Sequence, residues 1–277
     1  MYRIIKLIAE LSKKMNIPVE QPQIQSTISQ ELFAYGAVKN KVVDMVARVE
    51  QYFSEKDISF LTENQFLPNS IKAKTLNLRD YSDLRNVPIY VPPGLKIDYV
   101  EYGKILLESS KMCLRTKDYV VTPYARWLST NINDPKNLLS GRGGDMRNFE
   151  PNNLDTQYEQ LSKAFKMGNN TNRGKFGEYF NRNLAVKEAL ELDKQINTNL
   201  LSIDRKEIVS KVNELTYYLE KLREVLGKMD ENDISTKTGE VLSKLTYTVA
   251  REIEFIGVTF YNYGSYNRAL ELTLNNL

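Results

Sequence analysis

The chain has no histidine and one cysteine, Cys113, in 277 residues. Without histidine, Ser-His-Asp and Cys-His nucleophilic systems, imidazole general bases and His-ligated metal sites are all excluded. One cysteine permits no intramolecular disulfide and no thiolate zinc or iron–sulfur site. Cys113 sits in an apolar stretch and reads as a small buried side chain. No apolar run approaches the ~18 residues of a membrane span. The first fifteen residues spread Arg3, Lys6, Glu10, Lys13 and Lys14 through their length. A signal peptide groups its charge ahead of an uninterrupted apolar stretch. The expectation is a protein not secreted by that route.

A large excess of either charge is also missing, since the net value is +3. Any affinity for a polyanion must therefore come from local clustering. Hydrophobic residues make up 42% of the chain and charged residues 26%, an ordinary globular balance.

The apolar periodicity is mostly helical. Ile4, Ile8, Leu11 and Met15 mark a helix over 2–15 that Pro18 and Pro22 stop. Ile28, Leu32, Tyr35, Val38, Val42, Val46, Val49 and Phe53 mark a second, over 28–53, with Thr27 and Gln30 as a capping box. Residues 54–96 are punctuated by proline and read as irregular, with a small hairpin in which Pro88 confines Val87–Val91 to an edge. A helix is expected over 97–114, and a short one opening at Thr122 as N-cap with Pro123 as first helical residue. The only tryptophan, Trp127, falls in it. Residues 129–154 carry Asn, Gly and Pro in the density of a loop.

Beyond this loop, a short helix over 154–167 and three long ones are expected. The first spans 175–199. The second, capped by Asp204 and Glu207, carries Ile208, Val212, Leu215, Leu219, Leu222, Leu226 and Met229 in an unbroken heptad seam. The third starts near Ser235 and carries Leu242, Leu245, Val249, Ile253, Ile256 and Phe260. The expected fold is mainly α. It has a helical part over 1–128 with a short-strand insert at 54–96, a polar linker over 129–154, and an antiparallel three-helix bundle over 155–277.

Few constellations carry chemistry. The glycines at 141, 143 and 144 lack the Lys-Ser/Thr ending of a phosphate loop and the spacing of a dinucleotide fingerprint. They read as a turn. Asp98 with Glu101, and Glu252 with Glu254, are carboxylate pairs of the kind that 35 acidic residues produce by chance. No cofactor and no metal are expected. Lys163, Lys166, Arg173, Lys175 and Arg182 cluster with Phe165, Phe176, Tyr179 and Phe180 interleaved, a composition that can hold phosphates and stack bases. The alternative is a solvated cationic face over core aromatics. Near the C-terminus, Phe260, Tyr261, Tyr263 and Tyr266 lie in a tyrosine-rich stretch suited to a protein interface. The alternative there is a helix end packed over the bundle.

Asparagine, lysine, isoleucine and tyrosine are abundant, as in products of AT-rich genomes such as those of many bacteriophages. The sequence thus favours a non-enzymatic structural or assembly protein, a virion component of head, neck or tail, in the virion or the host cytoplasm. Its expected partners are other protein subunits in a homo- or hetero-oligomer. A nucleic-acid-binding accessory protein using 163–182 is the alternative.

Overall fold

A computed structural model describes residues 80–92, 94–132, 146, 148–164, 172–228 and 236–277, with backbone only for 162–163 and 236–243. The helices expected over 2–15 and 28–53, the glycine turn near 141, and Met229 lie outside the described residues.

The fold is mainly α, as expected. In chain order the elements are α1 (Tyr81–Leu84), β1 (Pro88–Val91), α2 (Tyr99–Thr116), a π-helical turn (Lys117–Val121) and α3 (Thr122–Asn131). There follow α4 (Leu154–Ala164), β2 (Asn172–Lys175), α5 (Phe176–Tyr179), α6 (Leu184–Leu201), α7 (Arg205–Lys228) and α8 (Thr236–Asn276).

Helix α2 starts where Asp98 accepts a hydrogen bond from the Glu101 backbone N–H at 2.8 Å, which satisfies one of the orphan donors of the first turn. It continues without a break through the π-turn into α3. The cause of that turn is Pro123. It has no N–H to offer the carbonyl four residues back, that of Tyr119, and its ring crowds that group. One widened turn absorbs the conflict. The freed Tyr119 carbonyl accepts the Glu150 N–H at 2.9 Å, where the chain returns from the long connector. Thr122 is consequently not the expected N-cap, because Val121 and Thr122 both hold right-handed helical torsions.

Contacts with three helices show how α2 lies among its neighbours. Asn199 of α6 donates to Ser110 of α2 at 2.9 Å, and the Gly103 Cα approaches Leu192, so α6 runs parallel to α2. Tyr102 of α2 donates to Asn262 of α8, and Thr116 to Glu252, so α8 runs antiparallel. Gln157 of α4 donates to Ser109 and to the Ile105 carbonyl, and Asn152 just ahead of α4 donates to the Met112 carbonyl, so α4 is antiparallel to α2 as well. Helices α4, α6 and α8, all after the expected boundary at 129–154, pack on α2 from before it, and one apolar core continues across both parts. The seam Ile208, Val212, Leu215, Leu219, Leu222 and Leu226 is buried as periodicity requires. Its chief neighbours are α3 and the π-turn. The Lys117 ammonium reinforces that contact with an ion pair to Glu207 at 2.8 Å.

Of the segment 54–96, in which a small hairpin was expected, residues 54–79 lie outside the described residues, and its described strand pairs with a distant segment. β1 pairs antiparallel with β2, matching Pro88 with Lys175, Ile89 with Gly174, Tyr90 with Arg173 and Val91 with Asn172. Ile89 and Val91 point into the core. The helix expected over 175–199 starts later, at Leu184, because 172–175 is taken by this ribbon and 176–179 by a single helical turn. Gly174 is required there, since a Cβ would lie 2.4 Å from the Tyr179 ring.

Candidate functional site

Helix α8 has 41 residues, about 60 Å at 1.5 Å per residue. Polar side chains tie it to the rest of the fold along most of that length. Tyr124 of α3 and Thr246 share a short hydrogen bond. Glu252, wholly buried, accepts from the Asn152 backbone N–H at 2.6 Å, the Asn152 Nδ2 at 2.8 Å and the Thr116 hydroxyl at 2.9 Å. Next comes Asn262 with Tyr102, at 3.0 Å. Asp193 of α6 then accepts the Tyr263 hydroxyl and the Asn267 Nδ2, each at 2.9 Å. Tyr266 donates to the Ala189 carbonyl at 3.2 Å. Last, Thr273 accepts from the Tyr90 N–H at 3.0 Å and donates to its carbonyl at 2.9 Å, closing the edge of β1 that β2 leaves open.

The ionisable groups in this ladder are shifted by burial. Desolvation raises the Glu252 carboxyl above its ordinary range, and the bonds from Asn152 and Thr116 and the charge of Arg115 only partly oppose it. Asp193 is raised for the same reason, against Asn267 and Tyr263. Glu254, turned to a different side of α8 from Glu252, is pushed up to about 7 by burial, with Arg251 opposing. Arg251 itself pairs with Asp155 of α4 at 2.7 Å and lies over the Tyr158 ring at 5.1 Å. Burial pushes the Cys113 thiol up to about 12, which removes thiolate character.

These positions decide the residues singled out from the sequence. Phe260, Tyr261, Tyr263 and Tyr266, expected at a protein interface, are core residues, with Tyr263 1% and Tyr266 0% exposed. The Tyr266 ring packs against Tyr99 and Tyr102 and the Tyr263 hydroxyl reaches Asp193, which fits the alternative of a helix end packed over the bundle. Residues two apart on a helix do not face each other, so Glu252 and Glu254 form no acid–base pair. Asp98 is a helix cap.

The basic cluster divides. Lys166 and the Lys163 side chain lie outside the described residues. Arg182 is ion-paired with Glu188. Phe176 and Phe180 are buried in a stack that runs on through Tyr99, so they are not free to hold bases. Arg173 and Lys175 are exposed on β2. Sequence reading missed the aromatic that does accompany them. Tyr90 lies opposite Arg173 in the ribbon, with the guanidinium carbon 5.6 Å from its ring centre. Only the strand register brings the two together. Asp193 and Glu252, by contrast, had a sequence signal. Each is an acid set in an apolar helical stripe, as in Ala189, Asp193, Ile196 and Leu200.

Among the described residues, no group of three or more Cys, Asp or Glu side chains could hold a metal ion. No described helix is long and apolar enough to cross a membrane. In comparisons with known proteins, no family model matches the chain, and neither does any curated protein or solved structure.

Proposed function

We propose that this chain is a non-enzymatic structural subunit of a larger protein assembly, and that the assembly is a bacteriophage particle. The observation that carries the first half is the clamping of α8. Links at Thr246, Glu252, Asn262, Tyr263, Tyr266 and Thr273 fix one long helix against α3, α2, α6 and β1. Such a rod suits a part whose task is to hold shape. The buried carboxylates serve the same end, since Glu252 and Asp193 direct their oxygens at neighbouring helices and loops. The second half rests on the composition rich in asparagine, lysine, isoleucine and tyrosine. Exposed Leu114, Tyr119, Leu184, Leu201 and Tyr217 are described side chains suited to contact with further subunits.

The test is density-gradient sedimentation of material from the native source, with the chain located by mass spectrometry. The chain is expected in the particle fractions at a fixed ratio to the other components. Recovery only among free proteins at the top of the gradient would overturn the reading. Light scattering on the purified chain then reports whether it also self-associates.

A further inference from the structure

In the β1–β2 ribbon, the Phe176 N–H bonds to the Val87 carbonyl at 2.9 Å. Counting along from that bonded pair, Ile89–Gly174 and Val91–Asn172 are also bonded pairs, while Pro88–Lys175 and Tyr90–Arg173 are the closer, non-bonded ones. Pro88 and Tyr90 alternate with the buried Ile89 and Val91 and so share the other side of the ribbon, where Pro88 is exposed and Tyr90 is half-buried, one edge of its ring against the core. The outer face of the ribbon is thus a floor of one proline and one tyrosine ring carrying two cations.

Those cations are unusual in this part of the molecule. Arg182, a few residues on, is neutralised by Glu188. Among the described residues, Arg173 and Lys175 form no ion pair with a carboxylate. The one acid at the strand end, Glu178, turns its carboxylate to the Lys175 backbone N–H at 3.1 Å. Residues two apart on a strand are separated by about 6.7 Å, so the two positive charges form a short, regular row. Tyr90 holds the Arg173 guanidinium over its ring, and the opposite side of a guanidinium plane is a stacking surface for a base.

We propose that the outer face of the β1–β2 ribbon binds single-stranded nucleic acid, with Arg173 and Lys175 on successive phosphates and the Tyr90-supported guanidinium as a platform for one base. This is independent of the assembly reading. Neither cation is buried, which suits sequence-tolerant contact with a flexible strand rather than recognition of a fixed small anion.

The experiment is fluorescence anisotropy of a labelled oligothymidylate with the full chain, titrated from about 50 to 200 mM salt. Affinity should fall steeply over that range. The double variant Arg173→Glu, Lys175→Glu should weaken binding by roughly tenfold or more, and should flatten the log–log salt slope by about 1.4, the value for two lost single-strand phosphate contacts. Arg173→Lys should weaken binding with the slope unchanged, since it keeps the charge and loses the stacking plane. All substituted side chains are exposed, and a thermal melt identical to that of the parent chain confirms the fold. Absence of binding at low salt, or charge-reversed protein that binds like the parent chain, overturns the proposal. So does equal competition by polyglutamate or by phosphatidylserine vesicles, since either would make the face a general polyanion or lipid surface.

Discussion

Glu254 makes the stability of this protein fall as the pH rises, the reverse of ordinary acid denaturation. Its carboxyl titrates near 4.5 when solvated and near 7 when folded. Below 4.5 both states are protonated and the burial of a neutral acid contributes in full. Between 4.5 and 7 the folded chain keeps a proton that the unfolded chain has released, so stability declines by about 1.4 kcal/mol per pH unit. Above 7 the contribution is gone. Glu254 is half-buried, so the whole shift amounts to at most about 3 kcal/mol, with most of the loss between pH 5 and 7. Glu252 and Asp193 are raised by the same cause and act in the same direction. Urea unfolding at pH 5 and pH 8 measures the effect, and Glu254→Gln isolates it, because the amide keeps the volume and cannot ionise. At pH 5 the variant should lead the parent chain by less than about 1 kcal/mol. At pH 8 it should be the more stable, by up to about 3 kcal/mol. Parallel pH profiles for the two proteins would refute the reasoning, since they would mean that Glu254 is as well solvated folded as unfolded.

Three further outcomes follow from the helix contacts. Gly103→Ala places a Cβ 2.8 Å from the Tyr266 hydroxyl and 2.9 Å from a Leu192 methyl. Overpacking of about 2 kcal/mol, less about 1 kcal/mol of helix propensity, leaves a net loss near 1 kcal/mol and a Tm lower by about 2–4 °C in calorimetry. Tyr263→Phe removes one of the two side-chain donors on buried Asp193. It should cost about 2 kcal/mol in urea titration and raise the Asp193 carboxyl further, which carbon-detected NMR of that side chain would report. Cys113, 1% exposed with its thiol pushed up to about 12, should not react with Ellman's reagent in the native protein and should react fully in urea. Fast native labelling would contradict its placement.

The periodic parts of the fold were legible. The seam of α7 is buried from Ile208 to Leu226, and Asp204 caps the helix by accepting the Glu207 N–H at 3.0 Å. Local rules suffice there because each residue's partner lies three or four positions away. They failed where the partner is distant. Residues 175–183 read as the start of a helix, but β1, far back in the chain, takes Lys175 into a strand and the helix opens only at Leu184. Thr122-Pro123 carries the signature of a helix start, yet the chain enters already helical and Pro123 widens a turn instead of opening one. The tyrosines of α8 share the composition of an interface and the burial of a core. Composition cannot separate these, because tyrosine suits any place where an apolar body and a hydrogen bond are wanted together. The cations of the surface ribbon were visible, and the aromatic beside them was not, since Tyr90 reaches Arg173 only through the register.

The ladder on α8 also restricts which structures the chain can form. An apolar heptad stripe resembles itself seven residues further on, so greasy helices can settle one notch out of place at small cost. The polar partners of α8 do not repeat in that way. A slip would leave Glu252 without Asn152 and Asp193 without Tyr263, each a bare charge in the interior. A single residue inserted between Glu252 and Asn262 would turn everything beyond it by about 100° and miss every later partner at once. The side chains along this helix therefore work like the cuts on a key. They add modestly to the strength of the fold and strongly to its uniqueness.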